Sequence, residues 1–251
     1  MKSRIFLPLL LATLIPQAAP LDAADPAFAL VYQKNGVGYV HDNLQASAAA
    51  LREIGTQAHL AVEVSSDPAV FTDVNLRKYR VLIFANTNNE GFETDTQREA
   101  FQRFLRAGGG YVGIHSSTGS ERSWDWFQRM QGAKFLRHPP MQRFGIRVVD
   151  RTHPATAHLG ETLVWEDECY FFARLNPAIH VLLSADITSL RDPRRDLEPG
   201  GTVNGMFPLA WCLEFEGARI FYTALGHRKE SFADPVFRKH LLGGIRWAMG
   251  D

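Results

Sequence analysis

Six places in this chain offer polar groups of the kind that move protons or hold metals: His41, His115, His138, His153, the Asp167-Glu168 pair and His227. Imidazole transfers protons near neutrality, and its neutral ring is the commonest metal ligand. A carboxylate such as Glu168 can orient a histidine, act as a base or complete a metal shell. No compact signature such as His-Glu-x-x-His occurs, so any metal site must draw on residues distant in sequence. Plainer readings stand beside these. His138-Pro139 and His153-Pro154 could equally be turn residues. Asp167-Glu168 could be a solvated pair on a strand edge. His41 and His227 follow Gly-containing loops, where a functional role is the stronger reading. His59, His158, His180 and His240 read as structural or surface residues. Trp124, Trp126 and Trp165 suit a core better than a sugar platform, although one of them could stack on a sugar ring.

What would position these groups is an alternation of strands and helices. Phe28 to Gln33, Leu60 to Val64, Tyr79 to Ala85 and Tyr111 to Ile114 read as buried strands. A helix is expected from Asp42, as its cap, to Ile54, with Gly55 as its stop. A second should start at Thr94 or Asp95 and end at Gly108-Gly109-Gly110. The alternation argues for a parallel sheet covered by helices, with Asp67 to Lys78 an unassigned connection. His115 then falls at the carboxyl end of a strand, where open sheets bind their ligands. Further on, a short aromatic helix is expected over Ser123 to Met130. Strands are expected at Gly145 to Val149, along Leu163 to Phe172 and at His180 to Leu183. Asp192 to Gly205 reads as a surface loop. Pro208 to Glu214 and Arg219 to Ala224 form a hairpin around Glu216-Gly217, and a closing helix runs from Phe232 to Met249.

Composition bounds the function. The 251 residues are 45% hydrophobic, enough for a full core, and 27 basic side chains balance 27 acidic ones. That balance gives no electrostatic footprint for nucleic acid. At the N-terminus, Lys2 and Arg4 precede an apolar run from Ile5 to Ile15, then Pro16 and small residues to Ala24. This is the layout of a secretory signal peptide, with cleavage expected near Ala23 or Ala24 and the folded domain over 25–251. The run is too short to span a bilayer, and no later segment is long and apolar enough. A periplasmic or secreted protein without a membrane span is therefore expected. Cys169 and Cys212 could pair in that compartment or remain buried thiols, and neither sits in the Gly-rich elbow of a catalytic cysteine.

An ordered set of motifs resembles one family. It comprises Gly109-Gly110-Tyr-Val-Gly113-Ile-His115-Ser116, Trp124, Gly132-Ala-Lys-Phe135, His138-Pro139, His153-Pro154, Asp167-Glu168-Cys-Tyr170, Pro208-Leu-Ala-Trp211 and Phe221-Tyr-Thr-Ala-Leu-Gly226-His227. The chain resembles the ThuA-like (trehalose utilisation) family from about Phe28 to Gly250. The resemblance implies a flavodoxin-like, class I glutamine amidotransferase-like α/β fold: a parallel sheet with helices on both faces and an antiparallel hairpin near the C-terminus. In true amidotransferases a cysteine occupies the turn after this strand. Here His115 stands there, which argues against glutamine hydrolysis. The resemblance implies a role in carbohydrate use, with disaccharides or their keto forms as substrates. One departure is Phe207-Pro208, where some family members carry His-Pro, so a lost ligand or acid is a consequence to check.

The leading expectation is a carbohydrate-processing hydrolase or isomerase. His115, His227 and Glu168 would be catalytic or metal-binding, and His41, His138, Trp124 and Tyr170 would bind substrate. A non-catalytic sugar-binding protein that retains the pocket is the alternative, favoured by Phe207. A divalent metal held by several of the histidines is a third reading. The cofactor and the oligomeric state are left open.

Overall fold

The computed structural model describes residues 27–195 and 201–251. The expected signal peptide and its cleavage sites before Ala27 lie outside the described residues, as does part of the Asp192 to Gly205 loop. Five strands form the parallel half of a nine-stranded sheet. They are β1 (Ala27–Tyr32), β2 (Leu60–Ser65), β3 (Tyr79–Ala85), β4 (Gly110–Ile114) and, near the C-terminus, β11 (Ala218–Thr223). Their order is β2-β1-β3-β4-β11, the flavodoxin-like arrangement, whose order reverses between β1 and β3. The apolar run of β3 buries six of its seven residues, as expected of a parallel strand covered on both faces.

Two helical layers cover this half. α1 (Leu44–Gln57) and α5 (Pro235–Met249) pack on one face against β2, β4 and β11. On the other face lie α2 (Asp73–Leu76), α3 (Asp95–Arg106) and α4 (Asp125–Gln131), held through rings. Phe84 of β3 lies 5.5 Å from Phe101, 5.2 Å from Tyr111 and 6.0 Å from Phe127. Close approach needs glycine at two points. A Cβ on Gly110 would meet the Ala248 carbonyl oxygen at 2.5 Å, so α5 rests directly on the β4 backbone. A Cβ on Gly55 would meet Val62 at 2.3 Å. Gly55 therefore lies inside α1 as a packing residue and does not stop it.

The chain then departs from a simple parallel sheet. β11 pairs antiparallel with β10 (Phe207–Phe215), as the expected hairpin, and the pairing continues outward. It runs through β9 (His180–Asp186), β6 (Gln142–Val148) and β7 (Thr162–Asp167), all antiparallel. β6 alternates buried and exposed residues, the mark of a sheet with one face in solvent. The extended stretch after Leu163 is thus two strands. β8 (Phe171–Ala173) leaves the large sheet and pairs with β5 (Lys134–Arg137), a strand too short to show a period. Two helix starts also differ from expectation. Asn43, not Asp42, precedes α1 and gives it no side-chain cap. α5 starts at Pro235 with Asp234 as cap, and Phe232 falls in a preceding 3-10 turn. At α3 the Thr94 cap is present as a reciprocal box with Gln97.

Candidate functional site

The carboxyl ends of β1, β3, β4 and β11 meet at one end of the parallel sheet. The loop after β4 turns sharply at His115, whose backbone is left-handed with φ of +52°. That conformation is uncommon for a residue with a side chain and tends to persist at functional sites, where surroundings over-determine it. Here Tyr222 Oη donates to the His115 carbonyl at 2.7 Å, and Gln131 Nε2 donates to the Ser117 carbonyl at 2.8 Å. The imidazole is fully buried, with Nδ1 2.7 Å from the Ala224 carbonyl oxygen. A carbonyl only accepts, so Nδ1 carries a proton and Nε2 faces the cleft.

Nε2 is where the site converges. Tyr170 Oη lies 2.7 Å from it, His227 Nδ1 3.2 Å and Glu168 Oε2 3.5 Å. Glu168 Oε2 is also 3.2 Å from His227 Nδ1, and its Oε1 is 3.4 Å from His138 Nδ1. The His41 ring stands edge-on to both other histidines, with centroids 4.9 Å from His115 and 5.1 Å from His227. Three of the expected histidines, His41, His138 and His227, therefore line one cleft of about 440 Å³ with Glu168, Tyr39, Asn88, Ser116, Arg122, Phe135 and Tyr170, and the fully buried His115 ring touches it through Glu168, Tyr170 and His227. Volume alone would not select it. Hollows of about 570 and 900 Å³ exist elsewhere, and no histidine lines either.

The loops are tied to one another by groups whose roles the sequence pattern did not reveal. Asp167 is fully buried. It accepts from the backbone N–H of Gly226 at 2.8 Å, His227 at 3.2 Å and Glu168 at 2.9 Å, and from Trp165 Nε1 at 3.3 Å. It is thus no solvated edge residue but the brace that sets both His227 and Glu168. Asn43 Nδ2 adds a second tie, to the carbonyls of Gly226 at 2.7 Å and His227 at 2.6 Å. Held this way, its Oδ1, the atom that would cap α1, is left buried without a partner. Both residues are ordinary polar letters in the sequence, and only the fold brings β7, α1 and the β11 loop together.

Electrostatics separate the histidines. Burial pushes the His41 imidazole down to about 3, helped by the neighbouring His115 and His227, so it is neutral at pH 7. His227 moves the other way. Burial opposes its charge, but the Glu168 carboxylate more than offsets this and raises it above the ordinary histidine value. Burial alone would raise Glu168, yet His115 and His227 hold it well below the usual carboxylate range. Environments that push like groups apart are how one site obtains an acid and a base.

Other expectations fall outside the cleft. Trp124 packs in the aromatic layer with Trp126 at 5.2 Å and Phe127 at 5.6 Å, and does not line the cleft. Apolar burial outcompeted a substrate role there. Phe207 lines the groove on the antiparallel wing, with its ring 6.0 Å from Phe171. A histidine at 207 would start on that groove, so Phe207 is not a vacancy in the histidine cluster. Cys169 and Cys212 are separate buried thiols. Burial raises both, Cys212 to about 12, which removes them as nucleophiles at neutral pH.

His153 packs against α5, which carries His240, and the two share Ala155: its N–H donates to His153 Nδ1 at 3.1 Å, and its carbonyl accepts from His240 Nδ1 at 2.9 Å. Burial lowers each to about 4. The unfolded chain, near 6.5, takes up these protons first, so their contribution is complete above about pH 6.5 and is lost as pH falls toward about 4. Thermal or denaturant unfolding should show stability dropping over that window, by up to about 1.4 kcal/mol per pH unit for each group. His240→Gln, which keeps a donor for Ala155 but cannot titrate, should reduce the slope. An unchanged slope would refute the assignment.

The ThuA family, described as trehalose utilisation, matches residues 28–248. The chain belongs to the ThuA family. No curated protein matches it. A ThuA-like protein from Bacteroides uniformis ATCC 8492 is similar at 22% identity, with a TM-score of 0.69, over 92% of this chain and 95% of that one. Another, from Parabacteroides merdae ATCC 43184, shows 19% identity and a TM-score of 0.69 over 89% and 90% of the two chains. A cytoplasmic protein from Salmonella typhimurium shows 11% identity and a TM-score of 0.61 over 88% and 98%. At these identities the likeness is one of fold, and it agrees with an amidotransferase-like ThuA sheet whose elbow carries His115. Among the described residues no helix is long and apolar enough to cross a membrane.

Proposed function

We propose that this ThuA protein is an exported carbohydrate-processing enzyme acting on a disaccharide or its keto derivative. The observation that carries the reading is the convergence of His41, His138, Glu168 and His227 in one cleft at the strand ends, with the buried His115 in contact with Glu168 and His227. His227, whose proton the Glu168 carboxylate favours, is placed to donate toward a sugar carbonyl or hydroxyl oxygen. Neutral His41 is the acceptor across the cleft, and Tyr170 fixes the face that His115 presents. Such positioned acid–base pairs contribute about 10²–10⁴-fold to rate. Tyr39, Phe135 and Tyr170 supply ring faces beside the polar groups, a mix suited to a sugar's apolar and hydroxyl faces. The N-terminal layout of residues 2–24 supports export to the periplasm or medium.

The test is a panel of disaccharides and their keto forms, followed by product analysis and calorimetry. Turnover of at least one, lost about 10²-fold or more in Glu168→Gln, is the expected result. Binding without product would favour the sugar-binding alternative. Neither binding nor product across the panel would overturn both.

A further inference from the structure

We infer that His115, His227, Glu168 and His41 form a binding site for one first-row divalent transition-metal ion of the zinc class. His115 commits its Nδ1 proton to Ala224, so Nε2 presents a lone pair toward the Tyr170 hydroxyl at 2.7 Å and toward the Glu168 and His227 side chains. Glu168 Oε2 is a second lone-pair donor 3.5 Å away, and His227 Nδ1 a third, 3.2 Å from each. Three donor atoms, two imidazole nitrogens and one carboxylate oxygen, thus converge on one point, the arrangement that a single cation can bridge.

The dimensions fit an ion. Nitrogen and oxygen ligands sit about 2.0–2.2 Å from zinc, so neighbouring ligands in octahedral to tetrahedral arrangements lie about 2.8–3.6 Å apart. The three measured edges fall in that range. His41 offers a further nitrogen, with one ligand atom from each of the three histidines within 4.8 Å of the others. The carbonyl held by His115 Nδ1 is the outer-shell partner that orients a ligating histidine.

Donor chemistry narrows the ion. Three imidazoles and one carboxylate suit zinc or a neighbouring transition metal. Magnesium and calcium, which require oxygen shells, are disfavoured. The open cleft leaves room for water or a sugar oxygen at a further position, as in catalytic rather than closed structural sites. With an ion bound at His227 Nδ1, the positive charge facing a sugar oxygen would come from the ion, and the His227 acid role belongs to the metal-free site. The inference rests on the same cleft as the carbohydrate reading, but its test uses no sugar, and the two can fail separately.

Untagged full-length protein, stripped with chelator and dialysed, is titrated with Zn²⁺, Co²⁺ and Mg²⁺ by calorimetry. One equivalent of Zn²⁺ should bind with a micromolar or tighter Kd, and Co²⁺ should give the visible absorption of a four- or five-coordinate centre. Mg²⁺ should give no comparable binding. His227→Ala and Glu168→Gln, both checked for folding by circular dichroism, should each weaken Zn²⁺ at least 100-fold. No stoichiometric Zn²⁺ binding would overturn the inference, as would Zn²⁺ binding that survives both variants, since that would place the ion on surface groups such as His180 and Asp150.

Discussion

Replacing His115 with asparagine is expected to reduce kcat/KM on the true substrate by about 10²–10⁴-fold while leaving the fold intact. Asparagine is the sharper choice because the position is left-handed, with φ of +52°. Asn tolerates that region better than most residues, whereas alanine would add backbone cost to the loss of the ring. The imidazole is the point on which Tyr170, His227 and Glu168 all converge. Its loss therefore removes both a reacting group and the partner that orders the others. Circular dichroism and thermal unfolding separate a dead site from a lost fold. A folded His115→Asn protein with full turnover would contradict the account.

The largest expected effect on stability comes from Asp167. Asp167→Ala strips the acceptor from three backbone N–H groups and from the Trp165 indole. Hydrogen bonds to a charged acceptor are worth about 1.5–3 kcal/mol, and a buried donor left unpaired costs about 1–3 kcal/mol. A loss of about 3 kcal/mol or more follows, equivalent to a Tm lower by about 6–12 °C for a domain of this size. Activity should fall as well, because the same bonds set His227 and Glu168. Asp167→Asn should be milder, since the amide oxygen can still accept on one side. A Tm within a degree or two of the parent would show that the brace matters little.

Much of this site was legible in the sequence because its residues sit at predictable places. Tyr79 to Ala85 is a continuous apolar run, and a triple glycine introduces Tyr111 to Ile114, so the residue pattern alone places the strand that ends at His115. The ordered motifs through His227 then made the family visible. What stayed hidden depended on long-range pairing. Asp167 and Glu168 look alike as adjacent acids, yet period-2 geometry turns one into the sheet as a brace and the other into the cleft. For Trp124 the core reading holds and the substrate assignment does not, for the opposite reason. Its motif neighbours His115 in sequence, but its ring is worth more against Phe92, Trp126 and Phe127 than in a polar cleft. The antiparallel wing beyond β10 was also underestimated, because alternating strands of four to seven residues do not announce their partners.

Glu168 is the group through which the whole arrangement acts, since it touches His115, His138 and His227 at once. The most direct test of the account is therefore the pH dependence of turnover in Glu168→Gln against the parent protein. The amide keeps the shape but removes the charge that raises His227. The account predicts a kcat/KM lower by about 10²-fold or more, with the limb that reports loss of the His227 proton moved to lower pH. Unchanged turnover with an unmoved limb would contradict it.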